Sequence, residues 1–229
     1  MLDLVIPDTG PLITFGVIDR LDLLDRFNCA ILVTDMVEAE IRRGPDTAKD
    51  KPILERWLAS GGNRVQTFQT SYGIMWKMLS PEQQKTVKRQ VPDAGEQSIR
   101  EFIQKVEGTI SDDDQMLVLF EEDAVKKVQF GPKVHLLHSF AFMVTLQEMG
   151  LISSADQMRD DVLAAGRLLA RDTFERRAVG TDGAAVDWQI DYNIGATDVR
   201  SLQDAEPKPG DDDDGSGGGA SGGPGGGPK

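Results

Sequence analysis

Acidic side chains recur in this chain where an α/β protein can use them. The apolar run Leu2-Asp3-Leu4-Val5-Ile6 delivers Asp8 into the turn Thr9-Gly10-Pro11. Further acids follow as Glu38 and Glu40, Asp93 and Glu96, and Glu121-Glu122-Asp123. An acid at the carboxyl end of a first strand stands where an open α/β sheet builds its clefts. A ring of carboxylates without Cys or His partners suits the hard cations Mg²⁺ or Mn²⁺. Such an ion lowers the pKa of a bound water and stabilises charge developing on a phosphate, so the first expectation is metal-dependent phosphodiester chemistry.

Each acid also has a purely structural reading. Asp8 could cap the turn that follows it. Glu38 and Glu40 are two residues apart on a predicted helix and face roughly opposite ways, and each taken alone reads as a solvated helix residue. Val37 and Ile41 form the buried pair of that helix, which puts Glu40 at the rim of the buried face. Asp93-Ala94-Gly95-Glu96 has the spacing of a capping box. Glu121-Glu122-Asp123 opens a predicted helix, where acids favour the dipole. Against that, the preceding run Met116–Phe120 has the strongest strand signal in the chain, and the carboxyl end of a central strand is where a cleft forms. Asp112-Asp113-Asp114 lies at the amino end of the same strand and reads as a solvated loop. His135 and His138 are the only two histidines. Without a Cys partner or an HxxxH spacing they do not suggest zinc, and strand-end packing is the expectation for both.

The elements that must position these groups alternate. Strands are expected at 2–6, 30–33, 65–69, 116–120 and 134–137. Pro11–Phe15 reads as a turn or short helix. Helices are expected at 16–27, 36–43 (capped by Thr34 or Asp35), 48–59, 93–106, 121–129 and 139–149. Helical spacing also runs through 72–90, with a fresh start at Ser80-Pro81. Ser153–Arg177 reads as one or two closing helices. Such alternation predicts an α/β fold with a parallel sheet covered on both faces.

Composition sets the limits. A chain of 229 residues holds one domain with a full core plus appendages. The net charge of −13 is uneven: residues 1–178 carry 28 acids and 22 bases, and residues 179–229 carry 10 and 3. The body is only mildly acidic, which argues against an open, non-specific DNA coat. The single cysteine, Cys29, fits a reducing cytoplasm. No basic leader precedes a long apolar run and no stretch is apolar enough to cross a bilayer, so a soluble cytoplasmic protein without membrane partners is expected. The segment 179–229, with Asp211 through Asp214 and a Gly/Ser/Pro tract, is expected to be a disordered tail behind a domain at 1–178.

Asp8-Thr9-Gly10-Pro11-Leu12-Ile13, then Leu21-Asp22-Leu23-Leu24, Val37 with Glu40-Ile41, Gly95-Glu96, and Leu117–Asp123 stand in an order that resembles PIN-domain nucleases. The flavour is that of prokaryotic PIN-like proteins related to toxin–antitoxin nucleases. Phe140–Met149 with Gly150-Leu151-Ile152 looks like that group's closing segment, and the resemblance covers residues 1–178. It implies a three-layer α/β/α sandwich with a mainly parallel sheet, a carboxylate pocket for Mg²⁺ or Mn²⁺, and cleavage of RNA. The family's acids map onto Asp8, Glu40, Glu96, and Glu121 or Glu122. Thr9 could orient a water or Asp8. Arg42, Arg43, Arg100, Lys126 and Lys127 are candidates to guide the RNA backbone, with solvated helix charge as their alternative. An antitoxin protein and a second copy of the chain are the candidate protein partners. The chain departs from the family where its Glu121-Glu122 replaces the usual Asp, since one extra methylene moves the carboxylate. Segment 70–92 reads as an inserted or extended helical region, and the tail lies outside the pattern. A haloacid-dehalogenase-like phosphatase would want Asp-x-Asp after the first strand, and position 10 is Gly. A response-regulator receiver would want paired acids after strand one and a Lys after the last strand, and neither is clear. A catalytically degenerate PIN-like module that binds a protein partner is the alternative function.

Overall fold

The apolar runs become strands: β1 (Leu2–Pro7), β2 (Ala30–Thr34), β3 (Val65–Phe68), β4 (Gln115–Phe120), β5 (Val134–His138) and a short β6 (Glu175–Arg176). The computed structural model describes residues 2–61, 64–90, 93–111, 113–123 and 125–178. The strands form one sheet in the order β3-β2-β1-β4-β5-β6. All neighbours pair parallel except β6, which runs antiparallel on β5. Within β1, β2, β4 and β5 every residue but Asp3 is buried. Successive strand side chains point to opposite faces, so unbroken burial requires cover on both sides. The result is a three-layer α/β/α sandwich, as the alternating elements predict.

Two groups of helices supply the cover. Among them, α2 (Asp35–Arg43), α4 (Ser71–Met78) and α6 (Ala94–Val106) pack on one another, and Phe102 of α6 meets Phe68 of β3 edge to face at 4.6 Å. The other group is α1 (Thr9–Val17), α7 (Ser139–Glu148) and α8 (Ala155–Ala164). There Phe142 of α7 packs against Phe15 of α1 at 5.6 Å and Phe27 at 5.4 Å. Helix α3 (Lys51–Ser60) touches both α1 and α2, and α5 (Pro81–Gln90) begins at the predicted Pro81. No helix among the described residues is long and apolar enough to cross a membrane.

Local structure departs from expectation in three places. The helix expected over 16–27 breaks: α1 ends at Val17, Asp19 takes a left-handed φ of 53°, and Leu21–Phe27 winds as a 3-10 helix. Buried Leu21, Leu24 and Phe27 are spaced by three, the repeat that a 3-10 winding aligns on one face. The helix expected over 121–129 is replaced by a single 3-10 turn at Val125–Lys127. There Glu121 is held by side chains from other elements and Val125 is buried, so tertiary contacts override local propensity. Finally, 153–177 is not wholly helical. Helix α8 ends at Ala164 and is closed by Gly166 (φ 92°), with Gly166 N–H on Leu163 O and Arg167 N–H on Val162 O. This Schellman closure sends the chain back along the sheet to form β6. The predicted tail, 179–229, lies outside the described residues.

Candidate active site

The chain runs β1-β2-β3 toward one edge and returns to place β4 on the other side of β1. A cleft forms at the carboxyl end of such a reversal, because the connections on either side of it leave to opposite faces. Asp8 follows β1 and donates its backbone N–H to Leu119 O at 3.0 Å, which sets it beside the end of β4. Glu121 and Glu122 follow β4 directly. Two acids far apart in sequence thus reach one end of the sheet.

Helix termini bring the rest. Glu40, on α2, accepts the Thr9 hydroxyl at 2.6 Å, while Glu38 points away to Arg42 and to Thr67 of β3. Gly95 opens α6 against both carboxylates: a Cβ there would stand 3.1 Å from Glu40 Oε2 and 3.2 Å from Asp8 Oδ1. The first turn of α6 is anchored by a buried hydroxyl chain. Ser98 Oγ donates to Gly95 O at 2.6 Å and meets Thr34 Oγ1 of β2 at 2.6 Å. Asp93 precedes α6 but its side chain makes no capping hydrogen bond, so no capping box consumes these acids.

The electrostatics tie the group together. Burial pushes the Asp8 carboxyl up to about 7, opposed by a hydrogen bond from the Thr9 backbone and reinforced by the charges of Glu40, Glu122 and Glu96. Apolar Ile99, Val118 and Phe120 share a narrow cavity with Asp8 and Glu96, which accounts for the lost hydration. Glu96 and Glu122 are also raised, each by burial first and Asp93 second. Arg100, one turn beyond Glu96, pulls the other way. Asp8, Glu40, Glu96 and Glu122, with Asp93 at the margin, are therefore one interacting set.

Glu121 bears on Glu122 through its charge, but its carboxylate is engaged by other elements. Its Oε1 accepts Thr14 Oγ1 at 2.5 Å and Ser139 Oγ at 2.8 Å, and its Oε2 pairs with Arg167 at 2.6 Å. The structure thus distinguishes the two strand-end acids that the sequence leaves equivalent. Thr14, Ser139 and Arg167 are absent from the sequence reading, and no local signal marks them. The predicted guide cations are mostly engaged within the chain. Arg42 pairs with Glu38, Arg43 lies 4.2 Å over the Trp76 ring, and Lys126 binds Asp123 and Asp172. Lys127 lies in the 3-10 turn after β4, and the charges of two guide cations reach the acids, Arg100 at Glu96 and Arg43 at Glu40.

Other polar groups are structural. Buried Asp35 accepts the Thr70 N–H at 3.1 Å and the Thr70 hydroxyl at 2.7 Å, which ties the start of α4 to α2. His138 accepts the Phe140 N–H at 3.2 Å and caps α7. His135 is buried between Gln115 and the Ala178 N–H, and burial lowers it to about 4.

The interacting acids present oxygen donors alone, the donor class of a hard divalent cation. The missing side chain at Gly95 leaves a gap between two of them that a Cβ would fill. As they stand, no three His, Cys, Asp or Glu side chains among the described residues are close enough to enclose a metal. No protein-family model matches the chain, and comparisons with curated proteins and with solved structures find no match.

Proposed function

We propose that this protein is a PIN-type, metal-dependent endoribonuclease. The observation that carries the reading is the set of mutually repelling carboxylates, with Asp8 raised to about 7, at the carboxyl end of the β1–β4 junction. Buried like charges are costly unless a proton or a cation compensates them. Asp8, Glu40, Glu96 and Glu122 would hold Mg²⁺ or Mn²⁺, which supplies an activated water and charge stabilisation at the phosphate. Thr9 holds Glu40 in place, and Arg100 supplies positive charge at the rim for the RNA backbone. An antitoxin or a second copy of the chain would be the protein partner.

A catalytically degenerate binding module is the competing reading. It is favoured by the absence of three converged ligands among the described residues, and by Ile74, Met75 and Met78, which lie exposed along α4. Single-stranded RNA with Mn²⁺ separates the two. The nuclease reading expects cleavage by the wild type and a loss of at least about 100-fold in folded Asp8→Asn and Glu96→Gln. Equal inertness of wild type and Asp8→Asn across diverse RNAs would overturn the nuclease reading and make the binding module the better one.

A further inference from the structure

Arg167 is launched from the Schellman closure of α8 and reaches across to α1. Its Nη2 donates to Gly10 O at 3.1 Å and to Glu121 Oε2 at 2.6 Å, and its Nε donates to Thr14 Oγ1 at 2.7 Å. Thr14 and Ser139 hydroxyls occupy the other Glu121 oxygen. One guanidinium therefore sits in a shell of carbonyl, hydroxyl and carboxylate oxygen. That is the donor set a hard divalent ion takes. Gly10 leaves room for this packing, since a Cβ there would meet Glu121 Cβ and Oε2 at 3.2 Å.

We infer that Arg167 is a resident cation: it fills the place beside Glu121 that a second divalent ion would otherwise take, and it leaves a single ion to Asp8, Glu40, Glu96 and Glu122. Arg167 is a positioning residue in this scheme. It fixes the turn that follows Asp8 through Gly10 O and withdraws Glu121 from metal binding. Only the count of ions in the wild type rests on the function proposed above.

Mn²⁺ titration of the full chain, with bound ions counted by electron paramagnetic resonance, tests this. The wild type is expected to bind one ion and Arg167→Gln a second, with the count returning to one in Arg167→Gln/Glu121→Gln. Glu121→Gln alone is expected to hold its ion within about twofold of wild-type affinity, whereas loss of a true ligand or its support costs about tenfold or more. A second ion already present in the wild type overturns the inference, as does an Arg167→Gln protein that gains none. If the wild type binds no Mn²⁺, the metal reading of the Asp8 group fails. The inference on Arg167 then stands only if Arg167→Gln acquires an ion that the double variant lacks. Should Arg167→Gln be unfolded without metal, refolding by Mn²⁺ supports the inference and failure to refold overturns it.

Discussion

At the scale of single residues, Asp8 governs how the molecule answers to pH. Its carboxyl rises from 3.8 to about 7 on folding, so the folded chain binds a proton there that the unfolded chain has lost. The stability this contributes is complete below about 3.8 and is lost as pH climbs to about 7. The limiting slope is about 1.4 kcal/mol per pH unit. His135, lowered to about 4, tilts the curve the opposite way over much of the same interval, and Asp3, raised to about 6, tilts it with Asp8. Denaturation of wild type and Asp8→Asn in parallel, without metal, cancels the shared groups. The stability advantage of Asp8→Asn is expected to grow between pH 4 and 7, and a constant difference would show that Asp8 is not buried as an acid. Ion affinity should rise through the same interval, because the metal takes the deprotonated carboxylates. Gly95 offers a second test at this scale. Gly95→Ala gains helix propensity but sets a methyl against Glu40 and Asp8. Calorimetric titration is expected to show Mn²⁺ affinity reduced about tenfold, with stability changed by no more than about 1 kcal/mol.

Among the elements, α2 and α4 are held together by a polar contact whose sequence signal is weak. A Cβ on Gly73 would collide with the Asp35 carboxylate, which is buried and bonded to Thr70. Gly73→Ala must displace that carboxylate or the helix. It is expected to cost more than about 2 kcal/mol in urea denaturation, in the range of overpacking and broken buried networks. A near-neutral result would mean that α4 is not seated on Asp35. The segment 70–92 reads in sequence as an inserted or extended helical region, and its α4 belongs to the layer that carries Glu40 and Glu96. The 3-10 winding of Leu21–Phe27 was equally hard to foresee. Its apolar spacing satisfies a period of 3.6 almost as well as one of 3, and packing around Phe142 decides between them.

For the whole molecule, charge is the controlling quantity. Residues 179–229 hold 10 acids and 3 bases, about half of the net −13. Truncation after Ala178 keeps the Ala178 N–H bond to His135, the last contact of the described chain with the sheet edge. The truncated protein is expected to melt within about 2 °C of the full chain, because the Gly-rich, acidic composition of 179–229 offers little apolar surface to bury. It is also expected to bind RNA more tightly at low salt, with the gain vanishing as screening shortens the reach of the acidic segment. Unfolding on truncation would move the domain boundary beyond 178. Equal affinity at low salt would leave the segment without an electrostatic role.

Local sequence determined strands β1 to β5, the placement of Asp8 at the end of β1, the opposed directions of Glu38 and Glu40, and the three-layer class, while β6 lies in a segment that reads as helix. These follow from periodicity and apolar runs, which act over a few residues. Tertiary structure decided what the acids do. The return of the chain to lay β4 beside β1 brings Asp8 to Glu122, and nothing near either residue encodes it. The different fates of Glu121 and Glu122 depend on Arg167, whose bond to Thr14 spans 153 positions. Such a contact forms only when the sheet, α1 and the closure of α8 are all in place, because its geometry belongs to the packed layers and not to any segment of the chain.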